Sequence, residues 1–346
     1  MQILEFFYEN LPQSKDISHR RANLSTQNTL IKGAKNSGKK SLILAYLQGF
    51  ERDEVLFLNF YDLRFDEKCL KNLANFAQQK SLKIIVFYGV SRDFNYDFSP
   101  LSKHAQIIVA SEFLSLKIAD FIELRLDFLD YEEFVSLTNA PSSSQVGAYL
   151  QAGRSFCANL NEFLAANFCK IELEILRKIA RNLGAEFSAN ELYQRLKNTQ
   201  KISKDSLYKA ILGLVDRGVV CFLPCFNKRL KRAYFADFGL KNALCIDKNF
   251  KQLFANVVFC ELLKARDEIF YDKSFDFYLK NAHTALVLSP TLDIDLIKIK
   301  AKKLASKALE LGILHIIFIT LSTEARFYER GVRVEILPFD TWALGF

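Results

Sequence analysis

The residues Gly33, Ala34, Lys35, Asn36, Ser37, Gly38, Lys39, Lys40 and Ser41 follow one another and carry the strongest chemical signal in the chain. The spacing Gly33-x-x-x-x-Gly38-Lys39 is that of a phosphate-binding P-loop. Glycines at these places let successive backbone N–H groups turn inward around phosphate oxygens. The lysine brings a point charge to the outer phosphates, and a helix starting behind it adds the positive end of its dipole. One position departs from the pattern. Directly after the lysine the chemistry asks for a Ser or Thr hydroxyl to ligate Mg²⁺, and the chain has Lys40. Ser41 comes one residue late, turned about 100° round a helix of 3.6 residues per turn, so it cannot take that role. The expectation is an ATP site in which Lys39 and the backbone from Gly33 to Lys40 hold phosphate while metal ligation is impaired.

A loop of this kind needs a strand before it and a helix after it. Asn28 to Lys32 is a short extended run, and Leu42 to Leu47 continues as an apolar-rich helix. Further apolar runs at Val55–Phe60, Leu82–Tyr88, Gln106–Ser111 and Phe121–Leu126 alternate with helical stretches such as Glu67–Lys80, which predicts a parallel α/β sheet. Phosphoryl transfer also needs an acid at the end of a buried strand to hold the metal's water shell. The strand around Ile84–Phe87 ends instead in Tyr88 and Gly89; Asp62 and Asp93 are the alternative carboxylates. Losing metal ligands harms transfer more than binding, because the loop amides and Lys39 still reach phosphate.

Composition sets broader limits. The chain has 346 residues, half of them hydrophobic and a quarter charged, with a formal charge of +8. That length accommodates two or three soluble domains. The charge allows nucleic acid or nucleotide phosphate as a partner but does not require one. The longest apolar stretch, Gly312 to Leu321, is too short to span a bilayer. Met1 to Phe7 carries a glutamate where a secretory leader needs a cation, so a reduced, cytoplasmic setting is expected for the seven cysteines. Cys221 and Cys225 lack a second ligand pair, and buried free thiols are expected there rather than zinc.

Beyond residue 135, Pro141-Ser-Ser-Ser-Gln145 reads as a linker, with a loop inside the second domain as the alternative. An amphipathic helix follows at Glu172–Asn182. Ser188 opens a capping box with Glu191, and Ser203 caps a third helix running to Arg217. A hairpin then pairs Val219–Leu223 with Arg232–Phe235. Three helices and a hairpin make a winged helix, whose recognition helix exposes Lys204, Tyr208 and Lys209. Its wing carries Lys228, Arg229, Lys231 and Arg232, a cluster able to track DNA phosphates. Asp205 and Asp216 dilute that charge. The last hundred residues form another α/β unit, with a solvated lysine-rich helix from Leu296 to Leu311. In outline this unit resembles a restriction-endonuclease-like core. Glu261 and Asp276 fit its first two acids, but Leu286-Val-Leu288 offers neither the third acid nor the lysine that nuclease chemistry needs.

Five boxes in order carry a wider resemblance: Leu124 to Phe134, Tyr149-Leu-Gln-Ala-Gly153, Ala233 to Leu240, Asn256 to Leu262, and Val334 to Trp342. Together they resemble a family of bacterial and archaeal AAA-type proteins that join an ATP-binding domain to a C-terminal domain of unknown function. The resemblance implies an AAA-like P-loop NTPase domain over residues 1–135. It implies a helical region over 136–245 containing the winged helix at about 171–236, and a nuclease-like domain, here without activity, over 246–346. It also places Ser111 at the end of the sensor strand, facing the terminal phosphate. The chain departs from the family at position 40, at the acid pair expected at 88 and 89, and at a glycine-arginine step expected near Lys117. The expected function is therefore ATP-controlled conformation with weak or absent hydrolysis. The alternative is a DNA-binding or scaffold protein with a relic P-loop.

Overall fold

Parallel strands covered by helices on both faces read as near-continuous apolar runs, because neither side of the sheet meets water. The computed structural model of the protein describes residues 2–13, 20–138, 142–155, 157, 159–197, 202–265 and 267–346. Pro141 lies outside the described residues, while Ser142 to Gln145, expected to belong to a linker, open a helix instead. The chain divides into two compact units, residues 1–128 with 216–218, and residues 129–215 with 219–346.

The first unit begins with α1 (Gln2–Glu9), β1 (Thr29–Lys32), α2 (Lys39–Leu47) and β2 (Val55–Asn59). It continues with α3 (Leu73–Gln79), β3 (Ile84–Val90), β4 (Gln106–Ser111) and β5 (Ile122–Arg125). The five strands are parallel in the order β2-β3-β4-β1-β5. Side chains alternate between faces with the strand period of two. Ile85, Phe87, Ile107 and Val109 join Leu4, Phe7 and Phe76 on one side. Ile84, Val86, Ile108 and Ala110 join Leu42, Ile43 and Leu47 of α2 on the other. No sequence pattern marks α1, which precedes the first strand. Leu4 and Phe7, one helical turn apart, are both buried, and a single turn's spacing is too little pattern to stand out in eight residues.

The strand order fixes where a ligand can bind. From β1 the chain crosses β4 and β3 to reach the far edge at β2, while from β4 it crosses β1 to reach β5. The connections part at the carboxyl ends of β1 and β4, and such a switch point leaves an open crevice.

The second unit opens with α4 (Tyr131–Leu137), α5 (Ser142–Ala152), α6 (Leu160–Asn167), α7 (Lys170–Arg181), α8 (Ala189–Leu196) and α9 (Lys204–Asp216). Of the expected capping box the N-cap half forms, with Ser188 Oγ accepting from Glu191 N at 3.3 Å, and Ser203 Oγ accepts from Ser206 N at 3.1 Å. A hairpin of β6 (Val220–Cys225) and β7 (Lys228–Phe235) follows, then α10 (Gly239–Leu244) and α11 (Phe250–Leu262). The unit ends with β8 (Ile269–Phe270), β9 (Phe277–Leu279), β10 (Thr284–Leu288), α12 (Ile294–Glu310), β11 (His315–Thr320), β12 (Ala325–Glu329), β13 (Val332–Pro338) and α13 (Phe339–Gly345). These strands make one mixed sheet in the order β12-β13-β11-β10-β9-β8. Ile297, Ala301, Ala305 and Ala308 of α12 are fully buried; alanines on this stripe let the helix lie close to the sheet, while Lys298, Lys302 and Lys303 face solvent.

The core of this unit is tied by polar brackets. Asn256, fully buried, accepts from Phe235 N at 2.9 Å and donates to Phe235 O at 2.7 Å. One amide thus satisfies both backbone groups at the end of β7. A buried group left without its partner costs about 1–3 kcal/mol, so Asn256→Ala should lower the stability of this unit by about 2–4 kcal/mol in a urea titration. A loss well under 1 kcal/mol would show that the bracket is dispensable.

Candidate phosphate-binding loop

The loop between β1 and α2 is shaped by close approach. Gly33 N donates to Ser111 O at 3.2 Å, which ties the loop's start to the end of β4. A Cβ on Gly33 would lie 2.1 Å from the Leu126 carbonyl oxygen, so no larger residue fits. Asn36 and Gly38 adopt left-handed φ values of 66° and 91°, the conformation glycine takes at no cost and asparagine at little. Ser37 N closes a turn onto Ala34 O at 3.1 Å, and Leu42 N begins the helical ladder on Gly38 O at 3.0 Å. The expected helix begins within this stretch, at Lys39.

Lys39 is the first residue of α2 and only 5% exposed. Its ammonium folds back and donates to the carbonyls of Gly33 and Ala34, each at 2.7 Å. Burial pulls its pKa down to about 8, partly offset by the charge of Glu112, with Lys35 adding to the fall. Ser37 is 2% exposed and its hydroxyl, 2.8 Å from where a Gly33 Cβ would stand, has no hydrogen-bond partner among the described residues. A buried ammonium held by neutral carbonyls and a spare buried hydroxyl face the same short loop. Arg20 braces its outer side, donating to Ser37 O and, at 2.9 Å, to Asp127 O.

The metal positions are built differently. Lys40 is exposed and Ser41 half-buried on the next step of the helix. At the end of β3, Gly89 has φ of 87°, and a Cβ there would stand 2.5 Å from the Tyr61 ring. The ring fills the space an acidic side chain at 89 would need. Tyr61 and Tyr88 meet edge to face at 5.8 Å between centroids, and Lys35 Nζ lies 4.7 Å above the Tyr61 ring. Burial, then the charge of Glu112, pushes both phenols up, so they stay protonated. At these two positions the residues do not fit Mg²⁺. Of the alternative acids, Asp62 is bound to Arg64 through Oδ1–Nε at 2.8 Å and Oδ2–Nη2 at 2.6 Å, which holds its pKa at about 2. Asp93 lines a separate surface cavity with Glu67, Lys71, Ser91 and Tyr96.

Ser111 sits beside the loop, but its hydroxyl is engaged: it donates to Val90 O at 3.0 Å and accepts from Phe113 N at 3.1 Å. It pins the strand ends together. The residue that sequence reasoning missed is the next one, Glu112, whose charge acts on Lys39, Tyr61 and Tyr88. No motif marks it; only the pairing of β4 between β1 and β3 brings it to the loop.

In the second unit, the other candidate cations separate into two groups. Lys228, Arg229 and Lys231 are exposed on β7, and Lys204 and Lys209 on α9. Arg232 stacks on Tyr271 at 4.0 Å, and Lys231 Nζ lies 4.1 Å above the Phe222 ring. The hairpin tip is held at its base: Phe226 N donates to Tyr271 O at 2.9 Å, Tyr271 N to Pro224 O at 3.0 Å, and the Phe226 ring meets Phe270 and Tyr278. Glu261, fully buried, accepts from Tyr131 N at 3.1 Å and Tyr149 Oη at 2.8 Å, with Lys264 Nζ 3.0 Å from its second oxygen. Asp276 accepts from Leu288 N at 2.7 Å, and burial raises its pKa. Both carboxylates therefore brace backbone. The seven cysteines are free thiols, and no helix among the described residues is long and apolar enough to cross a membrane.

The lowered pKa of Lys39 gives the loop a pH signature. Below about pH 8 the ammonium is present, and above it the charge is lost. An ordinary lysine would keep its charge to about pH 10. Affinity for a nucleotide polyphosphate should therefore fall about ten-fold between pH 7 and pH 9, measured by calorimetry. A flat profile to pH 10 would show that Lys39 does not titrate as placed.

No family model matches the chain, and no curated protein does. Among solved structures it is similar to a Walker-type ATPase of Pyrococcus abyssi, at 15% identity and a TM-score of 0.40, over 70% of this chain and 93% of that one. It is also similar to a signal-transduction ATPase with numerous domains and a tetratricopeptide-repeat sensor, from Pyrococcus horikoshii. There the identity is 11% and the TM-score 0.27, over 83% of this chain and 48% of that one. A third similarity is to the Drosophila origin recognition complex bound to AT-rich DNA and Cdc6, at 13% identity and a TM-score of 0.23, over 60% of this chain and 81% of that one. At these scores the functional reading rests on the loop's own geometry.

Proposed function

We propose that the first unit is an AAA-like nucleotide-binding domain and that adenine nucleotide controls the protein's conformation, with hydrolysis weak or absent. The supporting observation is the loop itself, with its buried Lys39 ammonium bonded, among the described residues, only to the Gly33 and Ala34 carbonyls. An ammonium taken out of water without an anion costs stability, and the phosphates of a nucleotide would supply the missing counter-charge. The backbone from Gly33 to Lys40 would hold the inner phosphates and Lys39 the outer ones. The misfit of Lys40, Tyr88 and Gly89 to a metal speaks against efficient phosphoryl transfer, which relies on that ion. In the same reading α7, α8, α9 and the β6–β7 hairpin form a winged helix. The portion from 246 onward is a restriction-endonuclease-like unit without activity, since Glu261 and Asp276 serve the backbone. Calorimetry with ATP and with ADP, in Mg²⁺ and in EDTA, tests the nucleotide reading. Binding should survive EDTA and fall at least ten-fold in Lys39→Ala. Absence of heat with either nucleotide would overturn it.

A second reading, DNA binding, has its own observation: Lys228 and Arg229 stand exposed and adjacent on β7, near the exposed Lys231. Phosphate contacts make binding fall steeply with salt. If this hairpin tracks DNA, duplex affinity by fluorescence anisotropy should not respond to ATP. The double variant Lys228→Ala/Arg229→Ala should then reduce the salt slope by about two. An unchanged slope would remove the hairpin from consideration.

A further inference from the structure

A trans peptide holds its C=O and N–H on opposite sides, so whatever binds the oxygen also sets where the next N–H points. That constraint bears on the joint between Ser37 and Gly38, just before α2 begins at Lys39. The described residues contain no cis peptide. Ser37 O accepts from Arg20 Nη1, while Gly38 N has no hydrogen-bond partner among the described residues. Arg20 lies 17 residues before Ser37, in the chain ahead of β1, and the loop's motif does not include it.

The guanidinium spends two nitrogens on two carbonyls. Nη1 holds Ser37 O, and Nη2 donates to Asp127 O at 2.9 Å. Asp127 directly follows Leu126, which is itself fixed to the sheet: Leu126 N donates to Lys32 O at 2.7 Å. The Leu126 carbonyl is the one that a Cβ on Gly33 would strike. Arg20 thus ties the second half of the loop to the same piece of chain against which its first glycine packs. The second glycine is fitted to the arginine as well. A Cβ on Gly38 would stand 2.8 Å from Arg20 Nη1, at a residue whose φ is 91°. Gly38 is needed there both for its left-handed backbone and for the side chain beside it.

We propose that Arg20 is a positioning residue of the phosphate loop: by holding Ser37 O on the outer side, it turns Gly38 N–H inward, toward the phosphates. The inference rests on the nucleotide reading above and adds to it a residue from outside the motif. An arginine suits the task because its planar fork reaches two carbonyls at a fixed spacing, which a lysine's single ammonium does not. Bonds from a charged donor are also stronger than neutral ones. Amides set in place beforehand spare a ligand the cost of ordering them on binding. Without the fork, the Ser37–Gly38 peptide is free to turn, and the nucleotide has to fix it.

The test is calorimetry of ADP on the full chain in EDTA, for the wild type, Arg20→Ala and Arg20→Lys. The Gly38 amide is followed alongside by NMR in ¹⁵N-glycine-labelled protein, and stability by urea titration. ADP should bind the wild type and shift the Gly38 amide resonance. Affinity should fall about ten-fold in Arg20→Ala. It should fall at least about three-fold in Arg20→Lys, which keeps the charge and loses the fork. Wild-type affinity in Arg20→Lys would show that charge alone counts. An affinity within about two-fold of wild type in Arg20→Ala, even with stability lowered, would make Arg20 a structural staple. Either result, or a Gly38 amide that bound ADP does not shift, would overturn the inference while leaving nucleotide binding in place. If Arg20→Ala does not fold, Arg20→Lys and the Gly38 amide decide by the same criteria. If the wild type binds no ADP, the nucleotide reading falls together with the inference.

Discussion

The loop after β1 depends on how Lys39 is held. Its ammonium is buried at the start of α2 and bridges the carbonyls of Gly33 and Ala34. This closes the loop on itself. The bridge is possible only because Gly33 lies against the Leu126 carbonyl with no side chain between them, and because Gly33 N is tied to the end of β4. Strand β1 sits between β4 and β5, so any shift of the loop would have to move three strand ends. A cation in such a place is expensive, and burial lowers its pKa for that reason. Keeping an ammonium out of water in this way costs the fold stability.

The departures from a metal-dependent site are spatially connected. Lys40 stands where a hydroxyl is expected, and Gly89 where an acid is expected. Gly89 is shaped by Tyr61, whose ring occupies the room a side chain would take. Tyr61 in turn packs on Tyr88 and beneath Lys35. An acid restored at position 89 alone would therefore clash with the ring. The aromatic wall and the missing acid are one arrangement of residues, and reversing it would need Tyr61 to change as well.

The second unit shows how polar residues with catalytic potential are used for support. Glu261 binds the first turn of α4 and the Tyr149 hydroxyl. Asp276 binds Leu288 N. Arg154, also buried, donates to Leu129 O and Ala236 O, while its own N–H bonds Asp237. Each satisfies backbone groups that no sheet or helix ladder reaches, and such a group left unsatisfied at these depths costs about 1–3 kcal/mol. The hairpin has a similar history. Its tip is anchored by Phe226 against Phe270 and Tyr278, while its basic residues toward solvent are left outside that anchor.

The amino-acid sequence by itself determined the loop and the elements around it, because each is a local matter. Glycine spacing, a lysine, apolar runs of strand length and Ser188 or Ser203 as caps all act within a few residues of one another. It did not reveal α1, whose apolar pattern is a single helical turn long. Nor did it reveal Glu112, which carries no signal until β4 is placed between β1 and β3. Only the tertiary structure decided that the Ser111 hydroxyl is spent on Val90 and Phe113, that Asp62 is spent on Arg64, and that Tyr61 fills the space beside Gly89. Hydrogen-bond partners and excluded volume are set by residues distant along the chain, and no spacing in the sequence encodes which of them will meet.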